Sequence, residues 1–346
     1  MVPVTGAGPV PTAEDVAWLP VEDASAVGAA RRAVTGLAER LAFPPTRTAE
    51  IALVVTELAT NLAKHAEQGV LLLRALRTDA RAEVEVAAVD RGPGMADPEL
   101  AFRDGHSTTG TLGIGLGAVT RLSDLSAIRS AVGKGTILTA RFAPEAKRDR
   151  PAPGEDFATG VTRPMDGEDI CGDGYAIRRQ DNRLHLMLCD GSGHGPLAAL
   201  ASQAAVRTFL ETDLTTPEEM VRRLHVGMNG TRGGAVAVAE LDPAASVVRF
   251  AGVGNIAAAV VAERKRGMVS LPGIAGYQAR SIRRFDYELP DDAVVVLHSD
   301  GLNERWSIDP LDRWRAKPLV MALDLLREAG VRRDDASVVV AKAGGW

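Results

Sequence analysis

The sequence is short of the features that would place it outside the cell or in a membrane. Only two of its 346 residues are cysteines, too few for a disulfide framework, which predicts a reducing, cytoplasmic setting. It has no run of about 18 apolar residues and no charged-then-apolar signal pattern at its start, so we expect no membrane partner. Its net charge of −5, with scattered arginines, excludes an extended basic surface for nucleic acid.

The composition, 25% charged and 46% hydrophobic, is that of a globular protein long enough for two domains. The stretch PEAKRDRPAPGE combines charges with prolines and predicts a linker at residues 144–156. The linker separates a first domain at residues 15–143 from a second domain at residues 157–346. Residues 1–14, which lack periodicity, are predicted to be a disordered leader.

Apolar spacing in the first domain predicts helices packed on a mostly antiparallel sheet. Helical periodicity marks residues 24–41 and 46–66, and residues 118–122 should begin a further helix. Strand patterns occupy residues 70–76 and 82–89, and a hairpin is expected over residues 125–142. These elements indicate an α+β fold.

The stretch VDRGPGMADPELAFRDGHSTTGTLGIGLG, residues 89–117, is the best candidate for a nucleotide site. Asp90 closes a predicted strand, where its carboxylate can accept a hydrogen bond from an exocyclic amine. Glycines let backbone N–H groups approach phosphate oxygens closely. The glycines concerned are Gly92, Gly94, Gly113, Gly115 and Gly117. The competing interpretation is that the second glycine run is a flexible surface loop.

The helix predicted at residues 46–66 carries a polar face. Glu57, Asn61 and His65 are four residues apart and therefore share one side of the helix. A carboxylate and an amide oxygen would point together into whatever the helix borders. The alternative is an ordinary solvated polar stripe.

Together these segments resemble the GHKL ATPase and kinase superfamily, whose fold is the Bergerat α/β sandwich. Residues 57–61, 90–94, 113–117 and 133–136 follow the order of its N box, G1 box, G2 box and final Gly-Thr. The stretches ELATNLAKHA and DRGPGMADPELAFRDGHSTTG are similar to RsbT-like and RsbW-like serine/threonine kinases, which act on STAS-domain proteins. The resemblance to the RsbT-like kinases is the closer one.

The resemblance implies a role for each matching residue. Asn61 would bind the Mg²⁺ that bridges the ATP phosphates, and Glu57 would orient or deprotonate the attacking hydroxyl. Asp90 would read the adenine amine, assisted by Thr136. Gly92 and Gly94 would let the base approach the backbone, while Gly113, Gly115 and Gly117 would wrap the phosphates at a helix start. No phosphoacceptor helix precedes the module, which argues against a histidine kinase.

In the second half, aspartates stand at the ends of apolar strands. Asp190 follows residues 184–188, Asp300 follows residues 293–297, and Asp334 precedes residues 338–341; Asp173 lies in the stretch CGDGY. Carboxylates gathered from several strand ends can hold divalent cations, and two such cations can activate a water and clamp a phosphate. The alternative is that each Asp-Gly pair is only a turn.

The order of these stretches resembles the metal-dependent (PPM-type) protein phosphatases, in particular the SpoIIE/RsbX branch, which implies an α-β-β-α sandwich. The resemblance implies that Asp173, Asp190, Asp300 and Asp334 bind two Mn²⁺ or Mg²⁺ ions, with the Gly191 carbonyl as a further ligand. Asp335, where relatives often have asparagine, would have a supporting role. Helices expected at residues 198–210, 217–228 and 319–328 should cover the sheets.

Two other residue types near these acids invite a functional interpretation. His194, flanked by glycines, could be a general acid or a zinc ligand, but hard oxygen chemistry does not need it, and we favour a turn or supporting role. Cys171 and Cys189 could form a redox switch. Strand alternation would put Cys189 and Asp190 on opposite faces, so inert packing is the favoured interpretation.

The two halves together predict a bifunctional regulator of a partner-switching system in the control of stress or sigma factors. An ATP-dependent serine/threonine kinase and a metal-dependent phosphatase would act on STAS-domain anti-sigma antagonists or stressosome-like proteins, with a sigma factor or second phosphatase as further partners. One rival makes the first domain a non-catalytic nucleotide sensor that regulates the phosphatase. Another makes the chain a non-enzymatic anti-sigma binding protein.

Overall fold

The computed structural model describes residues 12–78, 81–98, 115–145, 156–213, 215–308 and 311–344. The chain divides into two compact units between Glu155 and Asp156. Both units combine helices with antiparallel sheets, which confirms the predicted two-domain α+β class. The linker stays a prediction, because residues 146–155 lie outside the described residues.

The described part of the first domain has one five-stranded antiparallel sheet in the order β1-β2-β3-β5-β4. Its elements are β1 (Thr12–Pro20), α1 (Ala24–Arg40), α2 (Pro45–His65), β2 (Val70–Arg77), β3 (Ala82–Val89), α3 (Gly115–Leu122), β4 (Leu125–Ser130) and β5 (Thr136–Phe142). The predicted helices and strands therefore form, with ends shifted by a few residues.

Strand β1 begins at Thr12 and corrects the end of the leader predicted at residues 1–14. Thr12 already pairs with Arg77 of β2, and the pairing continues to Pro20 opposite Val70. A register shift between Asp15 and Ala17 interrupts the strand. Because a bulge breaks the alternation of side chains, residues 12–20 lack the alternating apolar pattern that predicts a strand.

The helices cover one face of this sheet because their apolar residues recur at helical spacing. Asp23 caps α1 by accepting a hydrogen bond from the backbone N–H of Ser25 at 2.7 Å, and Pro45 begins α2. The shared core contains Val34, Leu37, Ile51, Val55 and Leu58 from the helices with Leu71, Leu73, Val84 and Val86 from the sheet. The packing of this apolar side holds α2 against the sheet, in contact with the central strand β3.

A row of charged side chains crosses the other face of the sheet. Arg74 is fully buried and lies 2.6 Å from Asp15 on β1 and 2.9 Å from Glu85 on β3. Glu85 also accepts a hydrogen bond from Arg141 on β5 at 2.8 Å. Burial would raise the pKa of Glu85, but Arg141 and Arg74 outweigh it, and the pKa lies below its ordinary value.

We expect Glu85→Ala to destabilise the first domain by about 3–5 kcal/mol, since it leaves two buried guanidinium groups without their shared carboxylate. Calorimetry of the full chain would register a lower transition temperature for one unit. Glu39→Ala, an exposed change on α1, is the control and should cost less than about 0.5 kcal/mol. An unshifted transition in the Glu85 variant would mean that the charged row adds little stability.

The described part of the second domain has two five-stranded antiparallel sheets, in the orders β13-β10-β9-β8-β7 and β12-β11-β14-β15-β6. Its strands are β6 (Ala158–Arg163), β7 (Asp173–Gln180), β8 (Arg183–Gly191), β9 (Gly234–Asp242), β10 (Val247–Val253), β11 (Ala257–Val261), β12 (Lys265–Met268), β13 (Phe285–Glu288), β14 (Val294–His298) and β15 (Ala336–Lys342). Its helices are α4 (Gly195–Glu211), α5 (Pro217–Gly227) and α6 (Pro318–Ala329).

The sheets pack face to face over a core of apolar side chains such as Leu186, Phe250 and Val295. Helices α4 and α5 cover the outer face of the first sheet. Phe209 of α4 and Leu224 of α5 pack there in a second apolar core, between the helices and the sheet. Helix α6 lies against β15 and β6 of the other sheet. The α-β-β-α sandwich expected for the second domain is confirmed.

Candidate functional site

In the first domain the structure brings Asp90 and Thr136 together. The backbone N–H of Asp90 donates to the Thr136 carbonyl at 2.9 Å, and Asp90 Oδ1 accepts from the N–H of Thr136 at 3.3 Å. The same oxygen accepts from the N–H of Gly92 at 2.7 Å. The carboxylate therefore has a fixed orientation at the end of β3, as the predicted base-reading role requires.

The glycines after Asp90 allow the loop to fit between α2 and the β4–β5 hairpin. Gly94 has a φ of +67°, and a Cβ there would lie 2.0 Å from the Ala131 carbonyl oxygen. A Cβ on Gly92 would lie 2.9 Å from the carbonyl oxygen of His65, in the last turn of α2. A larger residue at Gly92 would therefore push the Asp90 loop away from α2, and one at Gly94 would push it away from the β4–β5 hairpin.

Glu57 and Asn61 lie one turn apart on α2, both half-buried, and His65 is exposed at its end. Helix α2 also packs against α3, which begins at Gly115 and contains Gly117. Gly113 lies outside the described residues. The phosphate-binding role of the second glycine run, and the roles of Glu57 and Asn61, stay predictions.

Ser130 connects the parts of this site, although no sequence motif marks it. Its hydroxyl accepts from the Met95 N–H at 2.9 Å, donates to the Gly135 carbonyl at 3.1 Å and lies 2.9 Å from the Thr136 hydroxyl. It therefore joins the loop after Asp90 to the turn before Thr136. A cross-strand pairing of Ser130 with Thr136 could have been foreseen from a hairpin register.

In the second domain Asp173 and Asp190 stand directly opposite each other in the β7–β8 pairing. Asp300 follows β14 and Asp334 precedes β15; these strands pair with each other, and the Ser299 N–H donates to the Ser337 carbonyl at 3.1 Å. The four predicted ligands thus come from four strand ends distributed over both sheets.

Glycines bring the backbones of these strand ends into contact. A Cβ on Gly301 would lie 1.9 Å from the Asp335 carbonyl oxygen, and one on Gly172 would lie 2.7 Å from Asp335 Oδ2. A Cβ on Gly191, the predicted carbonyl ligand, would lie 2.8 Å from the Gly172 carbonyl oxygen. The Asp-Gly and Gly-Asp pairs therefore serve close packing as well as turning the chain.

The carboxylates act on each other electrostatically. Burial, followed by the charges of Asp173, Asp300 and Asp334, raises the pKa of Asp190 to about 9. Burial is also the main cause that raises the pKa of Asp173 to about 7, although the nearby Ser299 and Ser337 hydroxyls act in the opposite direction. Burial and Asp300 raise the pKa of Asp334 as well. A bound cation would offset the repulsion between these carboxylates.

The chemistry of this donor set fits hard divalent cations. Asp173 is buried, and its Oδ2 has no hydrogen-bond partner among the described residues. Within the same ranges no three His, Cys, Asp or Glu side chains lie close enough together to hold a metal ion. Carboxylate and carbonyl oxygens are ligands that suit Mg²⁺ or Mn²⁺. The ligand assignments stay predictions.

Asp335 has contacts that agree with the supporting role predicted for it. Its carboxylate accepts from the N–H groups of Met165 and Gly172, both at 2.8 Å. It thereby holds the segment before Asp173 against the start of β15. His194 precedes α4, and its Nδ1 lies 3.0 Å from Glu168 Oε1 at the exposed rim.

Cys189 is fully buried in the core beneath α4 and α5, and burial raises the pKa of its thiol well above the ordinary value. Cys171 is half-buried, and neither cysteine forms a disulfide. A buried thiol with a raised pKa is unreactive. The geometry of Cys189 therefore agrees with inert packing.

Two groups around Asp300 had no assigned role in the sequence. Asn255 donates from Nδ2 to Asp300 Oδ2 at 2.6 Å. His298, buried at the end of β14, accepts on Nε2 from the Trp306 indole N–H at 3.1 Å, and its Nδ1 lies 2.9 Å from the Ser299 carbonyl. The contact joins the segment after Asp300 to β14. Neither partner could be identified from spacing, because both contacts depend on tertiary packing.

We expect the metal-free second domain to lose stability as pH rises. Asp190 has an ordinary pKa of 3.8 when unfolded and about 9 when folded, so between these values the folded state binds the extra proton. Folding then takes up protons, and stability falls with rising pH. Melting temperatures measured with a chelator between about pH 5 and 8 test this. Added Mn²⁺ should remove the loss, and a flat profile with chelator would contradict the expectation.

Comparison with known proteins identifies the kind of domain in each half. The histidine kinase-like ATPase domain matches residues 20–142, and stage II sporulation protein E (SpoIIE) matches residues 180–343. Over 112 residues the chain is 34% identical to the serine/threonine-protein kinase RsbT of Bacillus subtilis, covering 32% of this chain and 84% of RsbT. Over 144 residues it is 26% identical to the phosphoserine phosphatase RsbX of Bacillus subtilis, and the match covers 40% of this chain and 70% of RsbX.

One solved structure also resembles part of the chain. It comes from work on the bacterial stressosome, described as a modular system adapted to control secondary messenger signaling. The match has a TM-score of 0.50 at 28% identity and covers 54% of this chain and 98% of that one. None of the helices in the described ranges has the length and apolar character that crossing a bilayer demands.

Proposed function

The chain belongs to the histidine kinase-like ATPase family by its first domain and to the SpoIIE family by its second, and we propose that it is a bifunctional phosphorylation regulator. The first domain transfers phosphate from ATP to a serine or threonine. The second hydrolyses phosphoserine or phosphothreonine. Both activities act in the cytoplasm on STAS-domain proteins of a partner-switching system.

The phosphatase proposal is supported by one observation: Asp173 faces Asp190 in the β7–β8 pairing, while Asp300 and Asp334 flank the paired strands β14 and β15. Asp173, Asp190, Asp300 and Asp334 would hold two Mn²⁺ or Mg²⁺ ions, with the Gly191 carbonyl completing the oxygen set. When bound, such ions supply an activated water and offset the charge of the phosphate. Asn255 orients the Asp300 carboxylate for this purpose through its 2.6 Å hydrogen bond.

The kinase activity uses residues of the first domain in the roles that the family resemblance implies. Asp90, oriented by the N–H groups of Gly92 and Thr136, accepts the adenine amine. Asn61 binds the Mg²⁺ of ATP, and Glu57 positions or deprotonates the attacking hydroxyl. Phosphoryl transfer depends mainly on positioning and charge neutralisation, so a metal ligand and one base suffice.

The two activities on STAS-domain proteins are tested by one reciprocal assay. The full chain is incubated with purified STAS-domain candidates, ATP and Mg²⁺, and separately with their phosphorylated forms and Mn²⁺. We expect incorporation of phosphate in the first case and release in the second. Absence of both across a broad panel would refute the proposal. Release without incorporation would favour a nucleotide-sensing first domain, and stoichiometric capture of a sigma factor without either would favour an anti-sigma protein.

A further inference from the structure

Arg232 lies in the loop between α5 and β9, at the end of the sheet where the aspartates gather. Its Nη1 lies 3.2 Å from the position that a Cβ on Gly193 would take. Gly193 belongs to the turn that follows Asp190 and leads into α4. The guanidinium group therefore lies beside the turn that follows β8, whose last two residues are the predicted metal ligands Asp190 and Gly191.

Backbone pairing fixes this position. Gly234 stands opposite Gly191 in the β8–β9 register, and the Ser192 N–H donates to the Gly233 carbonyl at 2.9 Å. The Thr231 hydroxyl accepts from the Gly233 N–H at 3.0 Å. Gly233 has a φ of +70°, and a Cβ there would lie 2.3 Å from the Ala275 carbonyl oxygen. The residues on both sides of Arg232 are thus held in place.

The charge of Arg232 has no carboxylate partner among the described residues. By contrast, buried arginines such as Arg74 and Arg313 pair with carboxylates at 2.6–2.9 Å. His194, the other basic group at this rim, lies 3.0 Å from Glu168. Arg232 is also exposed, so its planar fork of N–H donors can reach an incoming ligand. The fork matches the oxygens of a phosphate group better than a point charge does.

We propose that Arg232 binds the phosphate group of the phosphorylated substrate beside the metal-binding carboxylates. The inference rests on the proposed phosphatase function and adds a binding residue to it. The recognised chemistry is a phosphomonoester dianion, together with inorganic phosphate as the product. If the charge of Arg232 only offset the crowded carboxylates, its removal would change metal affinity instead of phosphate affinity.

The experiment compares the full chain with Arg232→Ala and Arg232→Lys, using Mn²⁺ with p-nitrophenyl phosphate and with a phosphoserine peptide. We expect Arg232→Ala to lower kcat/KM by about tenfold or more, the range for a lost charge-assisted hydrogen bond. Inhibition by inorganic phosphate should weaken by a similar factor. Arg232→Lys should recover part of both, and the Mn²⁺ concentration for half-maximal rate should stay unchanged.

Arg264→Ala is the matched control. Arg264 is exposed and follows β11, whose Val261 pairs with Val294 at the opposite end of β14 from Asp300. Unchanged phosphate inhibition in Arg232→Ala would overturn the proposal, as would a changed Mn²⁺ requirement with unchanged phosphate affinity. Calorimetric titration of the Mn²⁺-loaded chain with inorganic phosphate tests the phosphate-binding role of Arg232 independently of the phosphatase activity. If the wild type hydrolyses nothing, the phosphatase function fails, while a lower phosphate affinity in Arg232→Ala would still support this site.

Discussion

Asp190→Ala is expected to abolish phosphate release from phosphoserine substrates while leaving the second domain folded. Asp190 stands opposite Asp173 in the β7–β8 pairing, and burial, followed by the charges of Asp173, Asp300 and Asp334, raises its pKa. Loss of an outer partner of a metal ligand already costs about 10–100-fold in affinity or activity. Loss of a ligand itself should therefore cost more than about 100-fold.

The same change should raise the melting temperature of the metal-free protein, because it removes a carboxylate that is half-buried among like charges. Addition of Mn²⁺ should then stabilise the variant less than it stabilises the wild type. Turnover with saturating Mn²⁺, circular dichroism and thermal unfolding measure these effects. Asp286→Ala, an exposed change on β13, serves as the control and should behave like the wild type. Full Mn²⁺-dependent turnover in the Asp190 variant would disprove the ligand assignment.

Much of the second domain could be predicted because its acids are marked by local sequence. Asp190 and Asp300 each follow an apolar strand and precede a glycine. A Cβ on either glycine, Gly191 or Gly301, would lie less than 3 Å from a backbone atom of a neighbouring segment, so a larger residue does not fit there. What the sequence did not show was the partner of each acid. Asn255 contacts Asp300 across 45 positions of sequence, and such a pairing exists only after β11 and β14 are placed side by side.

The first domain shows the same division between local and tertiary information. Periodicity predicted α2 within a residue or two, since its apolar positions alone determine which side is buried. The stretch VLLLRAL predicts a strand, but nothing in it indicates that Arg74 is fully buried. Its burial is compensated by Asp15 and Glu85, which belong to strands on either side. Partners contributed by neighbouring strands cannot be read from a single segment.

Glu57→Ala is expected to lower phosphoryl transfer to STAS-domain substrates by about 10²–10⁴-fold, the usual contribution of a general base. Because Glu57 lies on α2 one turn before the proposed Mg²⁺ ligand Asn61, its loss should spare nucleotide binding. Asn61→Ala, in contrast, should weaken the binding of ATP with Mg²⁺. Transfer of labelled phosphate and calorimetric titration with a non-hydrolysable ATP analogue measure the two effects separately.

Glu39→Ala on the exposed side of α1 removes the same charge at a distance and should transfer phosphate at the wild-type rate. If the wild type binds ATP but transfers nothing, the first domain is a sensor, and the hydrolysis rate of the second domain should then depend on ATP. If Glu57→Ala transfers phosphate normally, the hydroxyl is activated by another group. If Glu57 is catalytic, Glu57→Ala should bind ATP normally and fail to transfer phosphate. A disturbed helix would not give this combination, because α2 also carries Asn61 and its disturbance would weaken ATP binding as well.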